Sequence, residues 1–247
     1  MNHTNAGTVS TAPSLSLRLR EATSEQHARA EKHPIQQALV RGAAEPALYA
    51  AWLRDMAALH ERFEARLAAA RTNEALAGVI EDHHFRLDLI GEDLKALAAI
   101  DGSIAQSKNH ACCCGHAGCG AGAGSSAVSG ANALRPRTLA AWNEIDSMIE
   151  RDASAVLGPF YVLEGSTNGG RFIAMAIRKS LPLPAGAGTR YLDPHGEKIR
   201  ERWATTKAAM DAVPLSPAQH DAIVDAAKRT FDAVTLLMDE LVASRSA

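Results

Sequence analysis

Few residue groupings in this sequence could do chemistry, and each has a plain alternative. In "LREATSEQHARAE", residues 19 to 31, His27 stands four positions after Thr23 and eight after Leu19, on the apolar side of a helical repeat. An imidazole placed there is either a satisfied core residue or a metal ligand. Glu31, one turn further on, adds weight to the second reading, because a carboxylate beside an imidazole fixes its tautomer and raises its donor strength. Arg20, seven residues before His27 on a similar face, is either a solvated surface group or a cation meeting the anionic edge of whatever His27 binds.

The stretch "YVLEGSTNGGR", residues 161 to 171, interrupts an otherwise apolar helical pattern with Gly165, Gly169 and Gly170. Each glycine costs about 1 kcal/mol relative to alanine in a helix interior. At i, i+4 and i+5 the three share roughly one face, where another surface can come against bare backbone. That surface is either a closely packed helix or a flat ligand. Ser166, Thr167 and Asn168 add small polar groups able to hold ordered water over a ligand, and Asn168 with the adjacent glycines allows a kink.

Two further groupings compete. "EDHHF" places Glu81 and His84 at i, i+3, the Glu-x-x-His arrangement of carboxylate-bridged di-iron bundles. Such a site needs a second pair, and the sequence has none. The plainer reading makes Asp82, His83 and His84 a polar helix start on the surface. "HACCCGHAGC" gathers His110, His116 and all four cysteines, Cys112, Cys113, Cys114 and Cys119. Such a density of thiolates and imidazoles can bind soft or borderline metals, a speculative second metal site. Without a paired C-x-x-C, and with glycine-rich flanks, it also reads as a flexible linker, and its clustering argues against a secreted disulfide framework.

The elements that must carry these residues are helical. The 247 residues are 47% hydrophobic but only 4% aromatic, rich in alanine and leucine, and show no useful strand alternation. Net charge is −2, which gives no general attraction to nucleic acid or anionic membrane, and no run of about 18 apolar residues is long enough to span a bilayer. Nothing at the start resembles a signal peptide, so a cytoplasmic location is expected. Residues 1–13 read as a disordered tail, and residues 14–247 as one all-α domain of about seven or eight helices, interrupted by a flexible Cys/Gly-rich insertion at about 102–136. Ser14 is the expected cap of a first helix that Pro34 ends or restarts. A second helix from Pro46 carries Tyr49, Trp52, Met56, Leu59, Phe63 and Leu67 on one stripe. A third is expected over 73–100, with Leu76, Ile80, Leu87, Leu94 and Leu97 inward. The last opens with Ser216, Pro217 and Gln219 in a capping-box pattern.

Beyond spacing, "LREATSEQHARAE" resembles the proximal-helix motif of heme oxygenases, with His27 in the iron-ligand place. "YVLEGSTNGG" resembles their distal helix, particularly that of the bacterial biliverdin-forming branch. The likeness extends to "GEKIRERW" and to "LSPAQHDAIVDAAKRTF", and covers the chain from about 15 to 245 apart from the Cys-rich excursion. The resemblance implies a heme held between His27 and the backbone of the Gly165–Gly170 segment, with Ser166 where animal members carry an aspartate. It implies propionate contacts from Arg20 and, on the "EKIRERW" helix, from Arg200 and Arg202. The implied reaction is O2- and electron-dependent cleavage of heme to biliverdin, CO and ferrous iron. Heme is then both cofactor and substrate, electrons come from a ferredoxin or NAD(P)H reductase, and the enzyme is a monomer or homodimer. A non-heme di-iron oxidase of the same architecture, and a heme carrier without turnover, are the alternatives.

Overall fold

Ser14 opens the helical array: its hydroxyl accepts the N–H of Leu17 at 3.4 Å, capping α1 (Leu15–Ala22). This computed structural model describes residues 13–109 and 133–246. The expected single first helix is divided at Thr23, whose hydroxyl donates back to the Leu19 carbonyl at 2.8 Å, a side-chain bond that bends helices. The chain continues as α2 (Ser24–Glu31) and then α3 (Pro34–Val40), whose first turn is capped by Nδ1 of His33 accepting the Ile35 N–H at 3.1 Å. In α4 (Pro46–Ala70) the whole predicted stripe, from Tyr49 to Leu67, is buried.

The helix expected over 73–100 is shorter at its start. Residues 71–86 form turns and one 3₁₀ turn, Asp82–His84, and α5 runs Leu87–Asn109. The cause is local chemistry: the Asn73 side chain accepts the Ala75 N–H at 3.0 Å, and Glu81 and His84 cap one another. Leu76 and Ile80 are buried all the same. The start of α5 is capped from a distance, since Glu64 on α4 accepts the N–H groups of Arg86 and Leu87 at 2.7 and 2.8 Å.

The later helices are α6 (Pro136–Arg151), α7 (Leu157–Gly165), α8 (Thr167–Ser180), α9 (Ile199–Asp211) and α10 (Pro217–Ser246). The capping box of α10 forms as expected: Ser216 N–H donates to the Gln219 side chain at 3.0 Å, and Gln219 N–H to the Ser216 hydroxyl at 3.3 Å. Among the described residues there are ten α-helices and no strand. The excess over seven or eight comes from the breaks at Thr23, at His33 and at Ser166, which separates α7 from α8.

α10 is the spine, packed against α6, α7, α2 and α1. Gly158 explains how α7 comes so near it: a Cβ there would lie 2.6 Å from the Ile223 carbonyl oxygen. Helix α5 reaches Asn109, past the expected start of the insertion, and α6 begins at Pro136. The expected tail lies outside the described residues except for Pro13, as do Cys112, Cys113, Cys114, Cys119 and His116. Among the described residues, no helix is long and apolar enough to cross a membrane.

Candidate active site

A cavity of about 800 Å³ opens between α2 on one side and α7–α8 on the other, with α4 and α10 closing its depth. His27 lines it from α2. Its position depends on the step at Thr23, which sets α2 apart from α1. The ring meets Phe231 of α10 edge-on, at 5.6 Å between centroids. Glu31 stands on the Nδ1 side of the imidazole at 3.6 Å, leaving Nε2 for a ligand in the cavity. The side chain of His27 is 57% exposed, so it is a histidine facing an opening rather than a core residue.

The facing wall is the glycine segment, and its three glycines divide the two expected roles between them. At Gly169 an added Cβ would meet nothing within 4 Å, so this α-carbon faces open space. At Gly165 a Cβ would sit 3.3 Å from the indole of Trp203, which also lines the cavity. At Gly170 it would lie 2.4 Å from the Leu192 carbonyl oxygen. Gly170 is therefore a packing glycine, while Gly169 leaves the wall bare. The kink comes at Ser166, before the adjacent glycines. The expected polar groups are turned inward on their own helices: Ser166 Oγ donates to Leu163 O at 2.6 Å, Thr167 Oγ1 to Glu164 O at 2.7 Å, and Asn168 Nδ2 to Gly165 O at 3.0 Å. A donor that returns to the carbonyl three residues back stabilises the kinked turn and is less free to hold water over a ligand.

Behind these walls lies a buried polar network. Tyr191 lines the cavity and is brought there by Asp93, which accepts the backbone N–H groups of Arg190 and Tyr191, each at 2.9 Å. Its hydroxyl is 3.1 Å from Nε2 of His60, and Nδ1 of His60 is 3.0 Å from Oε1 of Glu64. With the carboxylate on Nδ1, that nitrogen carries the hydrogen and Nε2 accepts from the phenol. Burial pushes the Tyr191 phenol up to about 12, and burial also holds the His60 imidazole below its ordinary value, so both are neutral near pH 7.

Arg86 lines the same cavity although it is buried. It donates to the Leu163 carbonyl at 2.7 Å, lies 3.7 Å from Glu164 Oε2, and stacks its guanidinium over the Tyr191 ring at 5.3 Å. Burial alone would raise the Glu164 carboxyl. Arg86 and a 3.0 Å hydrogen bond to His195 outweigh it and hold the group at about 2.

The structure thus brings together His27, Arg20, Glu31, Gly165, Ser166, Asn168, Gly169 and Gly170 around one cavity. Arg200 and Arg202 are not brought to it: Arg200 is exposed, and Arg202 pairs with Glu81 at 3.7 Å. The face of α9 turned to the cavity presents Trp203 instead, with Lys207 over its ring at 5.7 Å. The inward face of α9 is set by its buried residues Ile199, Thr206 and Met210, with Trp203 between them, and Arg200 and Arg202 fall to either side of it. Nor do Glu81 and His84 form half of a di-iron site. Nδ1 of His84 accepts the Glu81 N–H at 2.9 Å, and its ring is buried edge-on to Phe160 rather than lying on the surface. Sequence reasoning missed Tyr191, His60, Glu64, Arg86 and Trp203. Only His60 and Glu64 left a trace, as an i, i+4 pair with its histidine on the apolar stripe of α4.

No curated protein sequence matches the chain. Among solved structures, the heme oxygenase of Leptospira interrogans superposes with a TM-score of 0.72 at 20% identity, over 92% of this chain and 100% of that one. Heme oxygenase-1 of the cyanobacterium Synechocystis, solved with heme, gives 0.73 at 17% identity over 95% and 96%. Heme oxygenase-2 of Synechocystis, solved with heme and NO, gives 0.72 at 19% over 93% and 85%. These likenesses establish the fold. The heme oxygenase family model matches residues 13–111 and 126–240, leaving out the cysteine cluster, and by that match the chain belongs to the heme oxygenase family.

Proposed function

We propose that this protein binds heme between His27 and the bare backbone at Gly169 and, with O2 and electrons from a ferredoxin or NAD(P)H reductase, cleaves it to biliverdin, CO and ferrous iron. One observation carries the reading: an outward-opening imidazole and a glycine whose added Cβ would meet nothing within 4 Å among the described residues line the same cavity of about 800 Å³. The residues present fit the group. Phe231, Trp203, Met56 and Val234 would surround a broad apolar macrocycle, Nε2 of His27 would hold its metal, and Arg20 would meet its carboxylates. Lys207, beside Trp203, is a further cation for that edge. A histidine-ligated heme supplies the iron at which O2 is bound and reduced.

The protein's own part is geometry. Glu31 would orient the imidazole, and Gly169 would let the wall approach a bound ring closely. Tyr191 Oη donates its hydrogen to His60, whose Nδ1–H is held by Glu64, so the line Tyr191–His60–Glu64 fixes the phenol at the cavity with its oxygen lone pairs free to accept from water or a ligand there. The test is a heme titration followed by reduction under oxygen. Biliverdin and CO support the reading, whereas a stable ferrous complex with no pigment supports a carrier.

A further inference from the structure

Glu164 is the residue before Gly165, yet it does not line the cavity; it is buried behind it. There one ligand atom from each of His83, Glu164 and His195 lies within 4.8 Å of the other two. Nδ1 of His83 faces Glu81 at 3.4 Å, and its Nε2 is buried with no hydrogen-bond partner among the described residues. His195 Nε2 is 3.0 Å from Glu164 Oε1. A buried imidazole nitrogen left without a partner, beside an ionised carboxylate and a second imidazole, is a costly arrangement for a merely structural cluster.

We propose that His83, Glu164 and His195 form a binding site for one divalent transition-metal ion of the zinc class, separate from the cavity. Two imidazoles and one carboxylate are the donor set zinc takes in sites that keep a fourth position open. Magnesium and calcium, which want oxygen ligands, do not suit it. The ligands are ready for a cation. Glu164 is buried, and Nε2 of His83 is buried without a hydrogen-bond partner among the described residues, so each has a lone pair to offer. Arg86 faces Oε2 at 3.7 Å and leaves Oε1 for the ion, which fixes the carboxylate's orientation while its charge tempers affinity. On binding, His195 takes the tautomer with its hydrogen on Nδ1, by exchange with solvent, and the freed Nε2 and Glu164 Oε1 turn to the metal. The ion would then clamp the Asp82–His84 turn, α7 and the segment before α9.

The proposal does not depend on the heme reading, and its test needs no turnover. The full chain, free of heme and carrying Cys→Ser changes at 112, 113, 114 and 119 to remove the rival thiolates, is titrated with Zn2+ by calorimetry and with Co2+ by absorption. One ion per chain with nitrogen and oxygen ligand-field bands is expected, and at least about tenfold weaker binding in His83→Ala and in His195→Ala. Helicity by circular dichroism shows that each variant folds. Should His195→Ala unfold, His83→Ala decides, because its side chain is partly exposed. No bound ion, or unchanged affinity in His83→Ala, overturns the site and leaves a hydrogen-bonded cluster.

Discussion

His27–Glu31 on α2 and His60–Glu64 on α4 have the same i, i+4 spacing, yet the first pair leaves 57% and 64% of its side chains exposed and the second 0% and 11%. Spacing puts imidazole and carboxylate on one helix face in both cases. What differs is the surface opposite. Across from α2 stand bare backbone at Gly169 and open space, so among the described residues the imidazole nitrogen not facing Glu31 has no protein group to satisfy it and is available to a ligand. Across from α4 stand Tyr191 and the backbone N–H groups that begin α5, so the second pair is saturated by the protein itself. The first pair is open to a ligand, and the second organises the protein around it. Exposure, which a helical repeat does not report, separates the roles.

The contrast can be broken experimentally. The largest effect is expected from His27→Ala, which should abolish the imidazole-ligated heme spectrum and turnover with helicity and melting temperature unchanged; an unaltered heme spectrum would sink its role. Next comes His60→Ala, which leaves the Tyr191 hydroxyl and the Glu64 carboxylate short of a partner in a closed site. A loss of about 2–4 kcal/mol in urea unfolding is expected, with heme affinity nearly kept.

The same pair predicts a pH dependence. Burial lowers the folded-state pKa of His60 below 6.5, so the unfolded chain takes up the proton first. The stability from a neutral His60 is therefore present above pH 6.5 and is lost as pH falls below it. His60→Gln should flatten that part of the stability profile, and an unchanged slope would show that another group is responsible.

A smaller effect separates the adjacent glycines. Gly170→Ala forces a Cβ towards the Leu192 carbonyl and should cost about 1–3 kcal/mol, whereas Gly169→Leu should leave stability nearly unchanged and cut heme affinity. Equal stability losses would mean that both positions are packing sites. The smallest effect belongs to Glu31→Gln: under about 0.5 kcal/mol in stability, because the group is exposed, with a modest change in heme affinity read by titration.

What could be read from the sequence was local. Ser14, Pro46 and the Ser216–Gln219 capping box mark helix starts through chemistry confined to one turn, and the stripe of α4 follows from repeat alone. His27 and the glycine segment were legible because each is a pattern within one or two helices. Tyr191 and His195 were not, because the 189–195 segment has no period and is placed by distant groups such as Asp93 and Glu164. Arg86 was hidden for a related reason: its surroundings are assembled from α4, α7 and that same segment, and nothing beside it in the chain announces burial. The error at Arg200 and Arg202 was one of facing, since Ile199, Thr206 and Met210 turn inward and carry Trp203 with them.

Gly170 also fixes a distance that no side chain could adjust. Because the Leu192 carbonyl rests directly on α8, the glycine surface and the Tyr191 phenol are locked in register by main chain alone. Reshaping the pocket for a bulkier or differently substituted tetrapyrrole should therefore succeed at positions 165 and 169, where only side chains or open space must yield. At 170 the Tyr191 phenol would be displaced together with the wall.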